Sequence, residues 1–263
     1  MKTLEKKITK VLFDGDLLCY QASSSVQKDI DWGDGLYTCH AFLGDAQDVL
    51  YSTLDGILKD IEGYLSEVSD VEYYFMFSGD KNFRKTIDPN YKGNRANKRK
   101  PTCYHALTES LYDLDMDHLA ILSEEYLEGD DLLGIYATRY PEDSLIVSMD
   151  KDFKTVPCYF YNYGTKKLLD THEEYLYWLA FQTLTGDTTD NYFGCKGVGK
   201  VKAKNILDSC EGDYWKAIVD TYKKAGMTEE DAIRNLRLAH ILWDGDYDFV
   251  KKEVLFSNPY IQQ

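Results

Sequence analysis

An α/β domain with a mainly parallel central sheet, followed by an all-helical C-terminal unit, is the fold this 263-residue sequence predicts. Three observations predict it. Short apolar runs at Val11-Leu12-Phe13, 71–77, 119–122 and 145–149 read as buried strands. Acidic residues follow these runs, at the carboxyl edge where open α/β sheets place their ligands. From Thr171 onward strand signals give way to helix signals, so a boundary is expected between a domain over 1–170 and a helical unit over 171–263.

The first run ends in Asp14-Gly15-Asp16, which reads as a turn carrying carboxylates. Ala46, Val49, Leu50, Leu54, Ile57, Leu58, Ile61 and Leu65 recur at steps of three and four and predict an amphipathic helix. The strand over 71–77 leads to Ser78-Gly79-Asp80. Leu107, Leu111 and Leu114 mark a helix. Glu128 precedes a further helix running to about Arg139, with Asp130 and Asp131 in its first turn, where the positive end of the helix dipole tolerates anions. The fourth strand is followed by Asp150 and Asp152, and residues 158–163 suggest a fifth. Thr171 and Glu174 form a capping-box pattern, and Thr228 reads as another N-cap.

The chain carries a formal charge of −15, which excludes a generally cationic nucleic-acid coat but not a local basic patch. Residues 81–100 are such a patch. Lys81, Arg84, Lys85, Lys92, Arg95, Lys98, Arg99 and Lys100 stand against a single acid, Asp88. Pro89 and Pro101 bracket the densest part, and Tyr91 offers a ring between cations, as a segment contacting phosphates and bases would. Six cysteines show neither C-x-x-C nor zinc spacing, so reduced thiols and a cytosolic setting are expected. Neither a signal peptide nor a membrane span is predicted.

The acids carry the chemistry. Glu128-Gly129-Asp130-Asp131 and Asp150-Lys151-Asp152, brought to one edge, would repel one another unless a cation sat among them, and hard oxygen ligands favour Mg²⁺, Mn²⁺ or Ca²⁺. Gly186-Asp187 to Asp190-Asn191 adds two more acids. Gly194 to Lys200 fits the spacing of a nucleotide phosphate loop, but Val201 stands where Ser or Thr should hold Mg²⁺. A glycine hairpin opening a helix still suits a phosphate. Asp244-Gly245-Asp246 begins like a calcium loop, yet Phe249 and Leu255 occupy its obligatory glycine and glutamate positions. Two rivals remain: a haloacid-dehalogenase-type phosphatase using Asp14 and Asp16, and a non-catalytic helix-hairpin-helix DNA-binding protein. The first leaves the basic segment without a role, the second the acids.

Val11-Leu12-Phe13-Asp14-Gly15, Gly79-Asp80, Tyr91-Lys92-Gly93-Asn94-Arg95, Glu128-Gly129-Asp130-Asp131, Asp150-Lys151-Asp152-Phe153, Gly186-Asp187 with Asp190-Asn191, and Gly197-Val198-Gly199-Lys200 come in the order of the flap endonuclease superfamily. The sequence resembles these PIN-like 5′ nucleases over most of its length and is most similar to the 5′→3′ exonucleases of short-tailed lytic bacteriophages. The resemblance implies a PIN-like mainly parallel sheet, a basic helical arch over 81–118 and a C-terminal helix-hairpin-helix subdomain. It implies a 5′→3′ DNA exonuclease with 5′ flap endonuclease and RNase H-like capacity, acting with two Mg²⁺ ions for which Mn²⁺ substitutes. Asp14, Asp80, Glu128, Asp130 and Asp131 would surround the first ion, and Asp150, Asp152, Asp187 and Asp190 the second. Lys92 and Arg95 would grip the scissile phosphate. Arg84, Tyr91, Lys98, Arg99, Lys100, Gly197, Gly199, Lys200 and Lys202 would contact DNA, with K⁺ at the hairpin. Asp16 departs from the small or hydroxyl residue common in the family. A monomer in the host cytoplasm is expected, acting on duplex 5′ ends, 5′ flaps and RNA–DNA hybrids.

Overall fold

The computed structural model describes residues 7–95, 98–114 and 116–261. In chain order, β1 (Lys10–Asp14) leads to α1 (Gly15–Val26), a hairpin of β2 (Lys28–Asp31) and β3 (Tyr37–His40), and α2 (Leu43–Ile61). Then come β4 (Glu72–Ser78), the short α3 (Arg84–Ile87), α4 (Tyr104–Ser110), β5 (Leu119–Glu124), α5 (Gly129–Arg139), β6 (Ser144–Ser148), β7 (Tyr159–Asn162) and β8 (Lys167–Asp170). The last third holds α6 (Tyr175–Thr185), the ribbon β9 (Gly186–Asp187) with β10 (Tyr192–Phe193), α7 (Lys200–Asp208), α8 (Tyr214–Lys224), α9 (Glu229–Ala239), and a small pair, β11 (Tyr247–Asp248) with β12 (Glu253–Val254).

The sheet runs β5-β4-β1-β6-β7-β8, parallel except for β8, which lies antiparallel on β7. The four expected strands and the fifth are all present, because each short apolar run can be buried on both faces. Alternation along β1 sends Val11 and Phe13 into one apolar layer, with α1, α2 and α4, and Leu12 into the other, with α5. Phe13 and Phe75 stack there with ring centroids 4.7 Å apart.

Three local expectations are corrected. Asp14-Gly15-Asp16 opens a helix rather than a turn, since Asp14 is a good N-cap and its Oδ1 accepts from the Leu17 N–H at 3.0 Å. Thr171 caps nothing: its hydroxyl bonds the Cys158 carbonyl at 2.9 Å, and α6 starts later with no side-chain cap. The basic segment is not a continuous helix. Between α3 and α4 its described residues form turns and one 3₁₀ turn, Gly93–Arg95, as Pro89, Gly93 and Pro101 disfavour helix. Past residue 170, Ile241, Leu242 and Tyr247 return to the apolar layer under α5. Thr228, by contrast, does cap α9, in a reciprocal box with Asp231.

Candidate active site

β1 and β6 are adjacent, with Phe13 opposite Val147, so their carboxyl ends bring Asp14 next to Ser148-Met149-Asp150. Fully buried Ser148 joins the two acids. Its hydroxyl donates to Asp14 Oδ2 at 2.7 Å and accepts the Asp150 N–H at 3.0 Å. On the other side of β1, β4 ends in Ser78-Gly79-Asp80, and Ser78 Oγ accepts the Gly129 N–H at 3.1 Å, which fixes the first turn of α5. Gly79 is required here because an added Cβ would sit 2.0 Å from the Glu124 carbonyl oxygen. Both strands therefore end in Ser-x-Asp, a repeat legible in the sequence that points to the two serines as organisers of the edge.

The electrostatics divide the acids into two sets. Burial, then the nearby Asp16 and Asp150, push the Asp14 carboxyl up to about 7. Burial, Asp14 and Asp150 likewise drive Asp130 well above the carboxylate range, and burial with Asp150 raises Asp152. Among the described residues, no lysine or arginine forms an ion pair with Asp14, Asp130 or Asp150. Buried carboxylates that repel one another and hold protons tightly are what a hard divalent cation relieves, so the chemistry of this donor set fits one. No three carboxylates among the described residues yet stand close enough together to hold an ion.

Glu128 and Asp190 form the second set, and the basic segment occupies them. Lys92 Nζ bonds Glu128 Oε1 and lies 3.8 Å from Asp190, while Arg95 reaches Asp190 Oδ1 at 2.7 Å. Burial would raise Glu128, but Lys92 and Arg84 outweigh it and hold the group at about 2. The backbone is tied down too. The Lys92 N–H donates to the Asp190 carbonyl at 2.8 Å, Asn191 Nδ2 to the Asn90 carbonyl at 2.8 Å, and Asn94 to the Thr188 and Thr189 carbonyls. Lys92 itself is in the left-handed region, φ +53°.

Several expected contacts are placed differently. Arg84, expected on DNA, is buried and faces Asp131, expected among the ligands. Tyr91 cannot offer its ring to a base. It is 2% exposed, and its hydroxyl lies 3.0 Å from both Glu128 and Asp190. Asp80 is exposed just beyond β4. Asp16 accepts the Ser78 N–H at 2.7 Å and the Tyr104 hydroxyl, so it braces the edge, a role the sequence left open. Lys98, Arg99 and Lys100 are exposed, as are Gly197, Gly199, Lys200 and Lys202 at the start of α7. Lys151, unassigned in the sequence reading, pairs with Asp152 at 2.7 Å and Asp187 at 3.4 Å. A groove of about 480 Å³ lined by Lys151, Asp152, Gln182, Asp187, Gly199 and Lys200 joins this pair of acids to the glycine hairpin.

The exonuclease of Escherichia phage T7 is 30% identical over 285 residues, covering 95% of this chain and 93% of its own. Among solved structures, the T5 5′-exonuclease with bound zinc matches at 18% identity and TM-score 0.62, covering 90% of this chain and 89% of that one. The flap endonuclease of bacteriophage T5, in a pseudo-enzyme–product complex with DNA and metal ions, matches at 17% identity and TM-score 0.60 over 88% of each. No protein-family model matches. The sequence similarity defines an enzyme of the exonuclease class. The chain belongs to the family of the phage T7 exonuclease and has the fold of the T5 5′-exonuclease.

Proposed function

We propose that the chain removes nucleotides from DNA 5′ termini and cuts 5′ flaps using two divalent cations, Mg²⁺ first and Mn²⁺ as a substitute. The observation that carries this reading is the edge where buried Ser148 joins Asp14 to Asp150 and where burial and neighbouring acids raise both Asp14 and Asp130, beside a cationic segment. Asp14, Asp130 and Asp150 would hold one ion, with Asp80 on the solvent side. Asp152 and Asp187 would hold the other. The bound ions supply water activation and neutralise charge on the phosphate oxygens.

Lys92 and Arg95 exchange their present partners, Glu128 and Asp190, for the scissile phosphate, which frees those two carboxylates for the ions. Their role is to offset charge in the transition state rather than to move a proton. Lys98, Arg99 and Lys100 on one side, and Gly197, Gly199, Lys200 and Lys202 on the other, take backbone phosphates, with K⁺ at the hairpin. RNA–DNA hybrids are accepted, and the protein acts as a monomer in the host cytoplasm. The T5 relative's complex with DNA and metal ions supports a DNA substrate. No helix among the described residues is long and apolar enough to cross a membrane. The phosphatase alternative loses its acid, because Asp16 is spent on Ser78 and Tyr104.

The decisive experiment is digestion of a duplex labelled at either its 5′ or its 3′ end, with Mg²⁺ and with chelator. Early release of the 5′ label as mononucleotides or short oligomers, only with Mg²⁺, is expected. Release from the 3′ end first, or undiminished cleavage in chelator, would refute the reading.

A further inference from the structure

Asp130 and Asp131 are consecutive acids in the first turn of α5, and successive helical residues point about 100° apart. Asp130 faces Asp14 and Asp150. Asp131 faces away from them. It is wholly buried, and its four acceptor positions are all taken: Oδ1 accepts from Arg84 Nη2 at 2.7 Å and the Leu242 N–H at 3.2 Å, and Oδ2 from Arg84 Nη1 at 2.7 Å and the Glu128 N–H at 3.1 Å.

Arg84 is equally committed. Its guanidinium has five N–H donors, and besides the two given to Asp131 they serve the Leu238 carbonyl at 3.1 Å, the His240 carbonyl at 2.6 Å and Glu128 Oε2 at 3.1 Å. Neither side chain has capacity left for an ion or a phosphate. Between them they join three segments distant in sequence: the base of the cationic segment, the N-terminus of α5 and the stretch that follows α9.

We infer that Arg84 and Asp131 form a buried strut that positions Glu128 and Asp130, and that Asp131 takes no part in holding an ion. This rests on the ion-binding reading of the Asp14, Asp130 and Asp150 edge. Arg84 and Asp131 are positioning residues, and the two neighbouring acids on α5 have opposite jobs. Removing a ligand relieves repulsion in the ion-free protein. Removing half of a buried ion pair leaves the other charge uncompensated.

Melting temperature in chelator and Mn²⁺ binding by calorimetry, measured for the full chain, separate the two. Asp130→Asn should melt higher than wild type in chelator and bind Mn²⁺ at least about tenfold more weakly. Asp131→Asn and Arg84→Gln should each melt about 5–10 °C lower while keeping Mn²⁺ affinity within about threefold. The double variant Arg84→Gln with Asp131→Asn, which pairs two neutral amides, should lose less than the two single losses combined, and it stands in if either single variant fails to fold. Asp131→Asn with an unchanged melting temperature and lost Mn²⁺ binding would overturn the strut, as would a double variant that binds Mn²⁺ tenfold more weakly. Wild-type protein that binds no Mn²⁺ would overturn the ion-binding reading instead.

Discussion

Asp14, at the end of β1, ties folding to pH. Its carboxyl stands at about 7 in the folded protein, above the usual aspartate range, because of burial and the neighbouring acids. Between about pH 4 and 7 the folded protein keeps a proton that the unfolded chain gives up, so stability falls as pH rises through that window. Glu128 has the opposite sign. Held at about 2 by Lys92 and Arg84, it contributes stability that is fully present above about pH 4.5 and is lost only as pH falls toward 2. The ion-free protein should therefore be most stable in mildly acidic solution. On the proposed ion-binding reading, Mg²⁺ would replace the proton at the edge and should raise the melting temperature by several degrees more at pH 8 than at pH 5. Thermal melts with Mg²⁺ and with chelator at the two pH values check this, and equal Mg²⁺ shifts would contradict it.

At the level of elements, two glycine turns flank the site, and only the first of them places acids. The β9–β10 ribbon carries Asp187 and leads to Asp190, and it closes because Gly186 (φ +67°) lies against Gly194, where an added Cβ at Gly186 would sit 2.3 Å from the Gly194 nitrogen. Gly197 also has positive φ, +74°, but nothing lies within 4 Å of the position its Cβ would take. The two glycines should thus respond differently to alanine. Gly186→Ala adds a backbone clash to the strain of positive φ, and should lower the melting temperature by several degrees and weaken Mn²⁺ binding. Gly197→Ala carries only the conformational cost of about 1 kcal/mol, and should alter duplex affinity while leaving Mn²⁺ binding within about twofold. Melts, calorimetry and a filter-binding assay distinguish the pair.

In the whole molecule, the nuclease sheet and the helical unit are not separable pieces. Arg84 and Asp131 bond Leu238, His240 and Leu242, and Ile241, Leu242 and Tyr247 complete the apolar layer beneath α5. A fragment ending at residue 170 would leave a buried guanidinium short of two carbonyl partners and an apolar face in water. It should be largely unfolded or aggregated, whereas the full chain melts cooperatively; circular dichroism and sedimentation of the two would show it. Asp190, in the turn after β9, meets the segment holding Lys92 and Arg95, while Asp187 pairs with Lys151.

The strands, the order of the acids along them, the amphipathic α2 and the capped α9 were legible in the chain alone, because periodicity and capping are local and each apolar run has one way to be buried. The sequence also carried the charge contrast between residues 81–100 and the rest of the chain. Only the tertiary structure decided which charges meet. Asp130 and Asp131 are indistinguishable in the chain, yet one faces other acids and the other a buried arginine. Tyr91 and Arg84, exposed in any reading of a basic segment, are buried because α9 packs against them, with Leu236, Leu238 and Ala239 beside Tyr91 and the Leu238 carbonyl on Arg84. Helix and strand follow from neighbours a few residues away, whereas the field at a carboxylate is set by groups a hundred residues distant that only packing brings within a few ångströms.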